Sequence, residues 1–216
     1  MADLFDLQDA RTPRRSLPAR RNVRTAQPPE GFRYRSQFVD AGEEQALLVW
    51  IRTLSLSAFE FHGYLARRRV VSFGWKYLYD SRMLQPAAPI PPILFPLRER
   101  AAVFAGCRAE ELVQSTVAEY SAGTMIGWHR DKPMFGEVIG VSLCSPCTFR
   151  FRRRLGRGDA AAWQRYAFLA EPRSVYLLSG PARTDFEHSI PAVTSLRYSI
   201  TFRTLRAEGS APPSPS

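Results

Sequence analysis

The sequence predicts a single α+β domain in which helices in the first half of the chain support a β-fold of the sandwich or jelly-roll type. The chain has 216 residues, of which 45% are hydrophobic and 12% aromatic, and this provides one sizeable core. Stretches with helical periodicity lie before residue 113, and short runs rich in Val, Ile, Tyr, Phe and Thr follow it. Such runs, separated by Gly, Pro and Ser, are typical of strands in sandwiches and jelly rolls.

Two helices are predicted in the first half, which they are expected to dominate. Asp40 and the glutamate three residues after it have the spacing of a capping box, and apolar residues then recur with helical period as far as Leu54. Pro96 suits the start of a helix and Gly106 its end. The apolar residues between these two, Val103 included, are expected on or near the buried side of the second helix.

Six strands are predicted in the second half, and both ends of the chain are predicted to be tails. Residues 1–30 form a basic segment without apolar periodicity, and residues 206–216 are rich in Pro and Ser, so both are expected to be disordered. The folded domain is therefore expected to span 31–205. The predicted strands are 115–120, 137–143, 148–152, 174–178, 183–187 and 198–204.

The chain is strongly basic, with 30 Lys and Arg against 20 Asp and Glu and a formal net charge of +10. Most of this charge is arginine, which suits a polyanionic partner such as nucleic acid, although a compositional bias of the genome explains the charge equally well. No apolar stretch has the length of a membrane span or the pattern of a signal peptide. Cys144 and Cys147 have no second pair with which to form a zinc site. We expect a monomeric, cytoplasmic protein with no membrane partner.

Two of the three histidines stand in a pattern that predicts a metal site. His129 and Asp131 form an H-x-D, and His188 follows 57 residues after Asp131. Alternate residues of an extended segment point to the same side, so the first two side chains are expected to converge. Two imidazoles and one carboxylate leave three coordination positions open on a ferrous ion. Zinc hydrolases use a similar ligand set, so the triad alone does not name the reaction.

Two arginines follow on one predicted strand. Arg197 and Arg203 are six residues apart, and this even spacing directs both guanidinium groups to one face. Buried arginines without an anionic partner are costly, whereas two arginines suit the two ends of a dicarboxylate. The pair therefore predicts a dicarboxylate site beside the metal.

Together, these motifs resemble the AlkB family of Fe(II)/2-oxoglutarate-dependent dioxygenases. The resemblance rests on Tyr120-x-x-Gly123, the H-x-D, the distant histidine and R-x-x-x-x-x-R, and it covers roughly residues 65–204. It implies a double-stranded β-helix, or jelly roll, buttressed by N-terminal helices. It also implies three ligands for Fe(II), a site for 2-oxoglutarate and O2 as the oxidant. The implied ligands and catalytic residues are His129, Asp131 and His188; the implied 2-oxoglutarate-binding residues are Tyr120, Arg197, Ser199 and Arg203.

The activity that the resemblance implies is oxidative demethylation of N-alkylated bases in DNA or RNA, which releases formaldehyde, succinate and CO2. A hydroxylase or demethylase of a protein or a small molecule on the same fold remains an alternative. Two positions depart from the family pattern: Ala118 stands where an asparagine usually helps to hold 2-oxoglutarate, and Glu187 precedes the distal histidine.

The segment 65–95 is predicted to be a substrate-recognition lid, because the corresponding region of the resembled family covers the site. Aromatic residues alternate along it and are expected to share one face on which a flipped base stacks; burial in the core is the other interpretation. The outer face of 149–154, where arginines alternate with phenylalanines, is predicted either to contact phosphates or to protect an edge strand. The predicted substrate-binding residues are Phe73, Trp75, Tyr77 and Arg69, with Tyr79 in the same stripe and with Arg67, Arg68, Lys76 and Arg82 as further phosphate contacts.

Overall fold

The computed structural model describes residues 22–24, 27–61, 64–78, 83–156 and 162–206, and the side chains among these except at 22–24 and 59–66. Strands predominate throughout. In chain order the elements are β1 (Asn22–Arg24), β2 (Phe32–Arg35), α1 (Ala41–Ile51), β3 (Ser57–Phe61), β4 (Tyr64–Phe73), β5 (Trp75–Leu78), β6 (Met83–Pro86), a 3-10 turn (Pro92–Leu94), α2 (Phe95–Ala105), a second 3-10 turn (Ala109–Glu111), β7 (Leu112–Tyr120), β8 (Ile126–His129), β9 (Phe135–Leu143), β10 (Cys147–Leu155), β11 (Ala162–Ala170), β12 (Ser174–Leu178), α3 (Gly180–Thr184), β13 (Glu187–Ile190) and β14 (Arg197–Leu205).

The strands form two main sheets. The major sheet has the order β2-β12-β9-β14-β7-β4-β3, the minor sheet has the order β1-β11-β10-β13-β8, and β5 and β6 form a separate ribbon. Neighbouring strands are antiparallel except for β1, which runs parallel to β11. From β7 onward the chain alternates between the two sheets, as in a jelly roll, except that β10 and β11 follow each other as a hairpin in the minor sheet. The predicted α+β jelly-roll class is confirmed.

The two faces of the major sheet carry two separate cores. In β14, Tyr198, Ile200 and Phe202 belong to the core beneath α1 and α2. A second core, which includes Phe149 and Phe151 of β10, fills the space between the sheets. Because side chains alternate along a strand, the other residues of β14 face this inter-sheet space. The two predicted arginines of β14 therefore lie inside the jelly roll.

Both predicted helices are present, with differences in detail. The Asp40 carboxylate caps α1 by accepting the backbone N–H of Glu43 at 2.8 Å, and the helix ends at Ile51, three residues before the predicted end. The Glu43 side chain forms an ion pair with Arg100 of α2 and thereby links the two helices. The prediction for Val103 is wrong, because its side chain is 82% exposed on the outer side of α2.

Three other predictions of secondary structure need correction. The first half is not dominated by helices, since it contains β1 to β6. The predicted strand 183–187 is wrong, because α3 occupies Gly180–Thr184 and β13 starts only at Glu187; Pro181 in the first turn fits a helix start. The predicted tail 1–30 includes β1, and Glu30 accepts the backbone N–H of Ala182. Residues 1–21, 25–26 and 207–216 lie outside the described residues.

The three cysteines are free thiols, with Cys147 buried and Cys144 exposed. Neither Cys144 nor Cys147 belongs to a metal-binding group among the described residues. In the part of the chain that the structure describes, no helix has the length and apolar character needed to cross a membrane.

Gly74 is expected to be essential for the fold, because it joins β4 to β5 with φ +74°. A Cβ at this position would lie 2.0 Å from the Val113 carbonyl oxygen, a backbone atom that cannot rotate away. Gly74→Ala is therefore expected to lower the free energy of unfolding by about 3 kcal/mol or more. Gly106→Ala is the control, because φ is +83° there but the space around it is open, and about 1 kcal/mol is expected. Urea denaturation measures both, and equal losses would contradict the role given to the Val113 contact.

Candidate active site

Three predicted residues converge in the structure. Ligand atoms of His129, Asp131 and His188 lie within 4.8 Å of one another, and this is a group of the composition and size that holds a metal ion. The Nε2 atom of His188 lies 3.6 Å from Oδ2 of Asp131. The two imidazole rings have centroids 4.3 Å apart and are tilted by 60°. The sequence pattern H-x-D with a distant histidine therefore becomes one compact cluster.

Strand pairing produces this convergence. His188 of β13 is the register partner of His129 at the end of β8, and partners on antiparallel strands point to the same face. Phe149 of β10 stacks against His188, with centroids 5.3 Å apart and an angle of 17°. The minor sheet thus fixes both imidazoles, and Asp131 follows where the chain leaves β8.

Hydrogen bonding, burial and nearby charges bring the three side chains into the forms that bind a metal. The Nδ1 of His129 lies 2.9 Å from the Gly127 carbonyl oxygen, so it carries the proton and Nε2 is left for a metal. Burial, with the nearby His129, lowers the pKa of His188 to about 3, which keeps this imidazole neutral. Burial opposes ionisation of Asp131, but the positive charge of Arg203 and other basic neighbours outweighs it and lowers the pKa of this carboxyl below its usual range. Two neutral imidazoles and one carboxylate are the forms that bind metal.

Arg203 connects the metal cluster to the major sheet. One terminal nitrogen lies 3.3 Å from Oδ1 of Asp131, and the other donates to Gln114 at 2.9 Å and to Thr116 at 3.3 Å. Arg203 thus lies beside the metal cluster, and its assignment to 2-oxoglutarate stays a prediction.

Arg197 is fully buried, with a relative exposure of 0%. Its Nε donates to the Ser142 hydroxyl at 3.1 Å, and its guanidinium carbon lies 4.7 Å from the centre of the Tyr120 ring. Both terminal nitrogens are buried without a hydrogen-bond partner among the described residues. Because a buried cation with unsatisfied donors is costly, these two nitrogens fit a carboxylate.

Tyr120 lies beside this guanidinium, and Ser199 lies beside Tyr120. Their hydroxyl oxygens are 3.5 Å apart. Burial favours the neutral phenol, but the charges of Arg68 and Arg197 outweigh it, so the pKa of Tyr120 lies below its usual value. The charge of Arg68 acts on Tyr120, and its predicted contact with phosphates stays a prediction. Ala118, the register partner of Ser199, is buried and offers only a methyl group to the pocket.

Arg183 is a further residue of the site that the sequence analysis did not select. It is buried in α3 and donates hydrogen bonds to the backbone carbonyls of Lys132 at 2.6 Å and Phe135 at 2.9 Å. These bonds hold the loop that follows Asp131. No motif identifies it, because its partners are backbone atoms about 50 residues away in the chain.

Arg183→Met is expected to lower the free energy of unfolding by about 2 kcal/mol, because two charged hydrogen bonds to buried carbonyls are lost. Affinity for Mn(II) should fall as well, since Asp131 loses the support of its loop. Urea denaturation and calorimetric titration with Mn(II) measure these effects. Arg108→Met serves as control, since the Arg108 side chain is 81% exposed; losses of equal size would show that Arg183 has no special role.

Two of the predicted substrate-binding residues do not face the site. Phe73 is buried in the core beneath the helices and lies 6.2 Å from the Trp50 ring. Arg69 lies on the same face of β4 and pairs with Glu119 at 3.1 Å. The single aromatic stripe is also wrong, because the positive φ of Gly74 separates Phe73 from β5. Both assignments are wrong, because Phe73 and Arg69 lie on the face of the major sheet that is turned away from the metal cluster.

Tyr77 and Trp75 are better placed. They lie on β5, where alternation directs them to one side, and Lys132, the residue after Asp131, has its ammonium nitrogen 4.9 Å from the centre of the Tyr77 ring. Tyr77 is therefore a neighbour of the metal loop, and Lys76 between the two aromatic residues is exposed. Tyr79 and Arg82 lie outside the described residues, and Arg67 is exposed with one guanidinium nitrogen 3.3 Å from the position of a Cβ on Gly123.

The arginines on the outer face of β10 contact tryptophans. The Arg152 guanidinium lies 4.4 Å from the Trp128 ring centre and 4.5 Å from that of Trp163, and its Nε is 2.6 Å from a carboxylate oxygen of Glu187. Arg150 lies 5.0 Å from Trp128. These stacked contacts stabilise the minor sheet behind the histidines. They also give Glu187, the second departure from the family pattern, a structural role.

Comparison with known proteins agrees with this geometry. Residues 56–203 match the 2OG-Fe(II) oxygenase superfamily. A curated relative from Arabidopsis thaliana, the alkylated DNA repair protein ALKBH8 homolog, is 31% identical over 175 residues, which cover 71% of this chain and 49% of the relative. The chain thus spans about half the length of that relative.

Solved structures share the fold. The structure of OsALKBH1 is similar with a TM-score of 0.61 and 16% identity, and the match covers 83% of this chain and 99% of the other. A 2OG-Fe(II) oxygenase family oxidoreductase from Burkholderia pseudomallei is similar with a TM-score of 0.56 and 15% identity, over 83% and 87% of the two chains.

The chain belongs to the 2OG-Fe(II) oxygenase superfamily, and the predicted resemblance to its AlkB type is confirmed. Residues 56–203 thus form a domain of the class in which bound Fe(II) and 2-oxoglutarate reduce O2 and a substrate is oxidised. His129, Asp131 and His188 fit Fe(II). The assignment of 2-oxoglutarate to Tyr120, Arg197, Ser199 and Arg203 stays a prediction, which the unsatisfied guanidinium supports.

Proposed function

We propose that this dioxygenase oxidatively demethylates N-alkylated bases in nucleic acid. The observation that carries the proposal is the pair of Tyr77 and Lys132 directly beside Asp131. An aromatic face next to a cation suits a base with its phosphate. Arg130 and Lys76 are exposed on the neighbouring segments, and the net charge of +10 favours a polyanion.

In this proposal each group of residues has a separate task. The metal ligands and the two arginines hold the reacting groups, while Tyr77 stacks on the base and places its alkyl group toward the metal cluster. Lys132 and Arg130 neutralise backbone phosphates. The name of the Arabidopsis relative, which refers to repair of alkylated DNA, agrees with this class of substrate. Oxidation of the N-methyl carbon then gives a hydroxymethyl group that leaves as formaldehyde.

The test begins with reconstitution in Fe(II) and 2-oxoglutarate without oxygen. Aerobic incubation follows, with oligonucleotides of DNA and RNA that contain N1-methyladenine or N3-methylcytosine. Mass spectrometry reads succinate and demethylated base, and both products are expected in equal amounts. Stimulated succinate with a protein or small molecule, and none with any oligonucleotide, would overturn the proposal in favour of that alternative substrate class.

Variants of Tyr77 test the stacking role. Tyr77→Ala is expected to weaken binding of the methylated oligonucleotide by about tenfold, because a stacked base contributes ~1–3 kcal/mol, while the affinity for 2-oxoglutarate stays the same. Tyr77→Phe keeps the ring and is expected to keep the binding. Fluorescence anisotropy with a labelled oligonucleotide measures both, and unchanged binding in Tyr77→Ala would remove Tyr77 from the substrate site.

A further inference from the structure

Tyr176 of β12 is a buried tyrosine in the inter-sheet space, with a relative exposure of 7%. Its ring lies directly over Gly140 of β9. A Cβ on Gly140 would be 2.2 Å from Cζ of this ring and 2.4 Å from its hydroxyl oxygen. The missing side chain at Gly140 therefore provides the space through which the phenol extends across β9.

Strand register shows where the hydroxyl points. Tyr176 is the partner of Gly140, and Gly140 is the partner of Thr201 on β14. The phenol thus extends from β12 across β9 toward the inner face of β14, where Thr201 lies between Ser199 and Arg203. Phe149, the residue that stacks on His188, flanks the Tyr176 ring at 5.0 Å. The hydroxyl therefore points into the inter-sheet space, where the charges of Arg197 and Asp131 both act on it.

The chemical state of this hydroxyl suits a hydrogen-bond donor to an anion. Burial raises the pKa of Tyr176 above its usual value, with the charge of Arg197 acting in the opposite direction. The phenol is therefore neutral and keeps its proton. In the part of the chain that the structure describes, no hydrogen bond joins this hydroxyl to another residue. A phenylalanine would fill the same apolar space without a polar group to satisfy.

We propose that Tyr176 is a 2-oxoglutarate-binding residue whose hydroxyl donates a hydrogen bond to the carboxylate held by Arg197. An ionised carboxylate accepts about four hydrogen bonds. The two free nitrogens of Arg197 supply two of these, and Ala118 on the neighbouring strand supplies none. Tyr176 adds a donor from the opposite side of the pocket, on β12. This role depends on the co-substrate only and is independent of the proposed nucleic-acid substrate.

The test measures binding of 2-oxoglutarate to the full chain loaded with Mn(II), which does not turn over. Isothermal titration is expected to show about tenfold weaker binding in Tyr176→Phe, as for one lost hydrogen bond to a charged group. Affinity for Mn(II) and the melting temperature without 2-oxoglutarate should match the unchanged protein. Under turnover, the KM for 2-oxoglutarate should rise while kcat at saturation is retained.

Tyr198→Phe is the matched control, because it removes the same atom from the opposite face of β14, where the Tyr198 hydroxyl donates to Glu119 at 3.1 Å. Its affinity for 2-oxoglutarate should not change. Oxalate, which chelates a metal but has no distal carboxylate, should bind equally to the unchanged protein and to Tyr176→Phe. Unchanged binding of 2-oxoglutarate in Tyr176→Phe, or an equal loss of oxalate binding, would overturn the proposal.

Discussion

Replacement of Asp131 by alanine is expected to abolish tight metal binding and to reduce turnover below detection. Asp131 is the one carboxylate in the metal-binding group, and it is ionised because Arg203 and the other basic neighbours outweigh its burial. Without it the group retains two imidazoles and the nearby positive charge of Arg203, which repels a cation. We expect Mn(II) affinity to fall by more than about 100-fold, as is usual for loss of a charged ligand in a partly buried site.

The experiment separates loss of metal from loss of fold. Isothermal titration with Mn(II) measures the affinity, and succinate formation with Fe(II) measures turnover. The fold should survive, because Arg203 keeps Gln114 and Thr116 as acceptors. Asp185→Ala is the control, since Asp185 is a half-exposed acid near the same loop whose carboxylate pairs with Arg153 at 3.7 Å and accepts a hydrogen bond from Thr184 at 2.7 Å. Metal affinity retained in Asp131→Ala would show that the ligand assignment is wrong.

The parts of the site that the sequence predicted are those governed by alternation along a strand. Arg197 and Arg203 share a face because their spacing is even, and β14 runs without interruption between them. Similarly, H-x-D placed His129 and Asp131 together at the end of β8. Such inferences need only the geometry of one extended segment.

The wrong predictions concern residues whose position is set by a turn or by tertiary packing and not by the periodicity of the local sequence. The stripe of aromatic residues through Phe73 has the period of one strand, but Gly74 turns the chain because its φ is positive. Arg69 was predicted to bind the substrate, but strand pairing places it beside Glu119, with which it forms an ion pair. Pairing partners that lie 50 residues apart in the chain are not visible in the sequence of a single segment.

Arg183 and Tyr176 show a second limit. Arg183 is held by backbone carbonyls, and Tyr176 has its position because Gly140 carries no side chain. Neither residue belongs to a sequence motif. Arg183 binds backbone carbonyls, which every residue has, and Tyr176 occupies space that a missing side chain leaves open. The contacts of Arg183 and the register that places Tyr176 opposite Gly140 are visible only in the folded structure.

Replacement of Arg197 by methionine is expected to abolish 2-oxoglutarate binding while leaving the fold intact. Methionine has a similar length and no charge, so it fills the pocket without the two buried nitrogens that have no partner. Exchange of a buried charge for an apolar side chain of similar volume is often neutral or stabilising. We therefore expect the free energy of unfolding without 2-oxoglutarate to change by less than about 1 kcal/mol.

The affinity for 2-oxoglutarate should fall by more than about 100-fold, because the ligand carboxylate would be buried without its cation. In the unchanged protein, 2-oxoglutarate at 100 times its dissociation constant adds about 2.7 kcal/mol to the free energy of unfolding, and Arg197→Met should lose this gain. Urea denaturation with and without 2-oxoglutarate, in the presence of Mn(II), measures both effects. Arg69→Met makes the same chemical change on the other face of the major sheet and should keep the gain. A large loss of stability in Arg197→Met without ligand would instead mean that the fold, and not the co-substrate, requires this arginine.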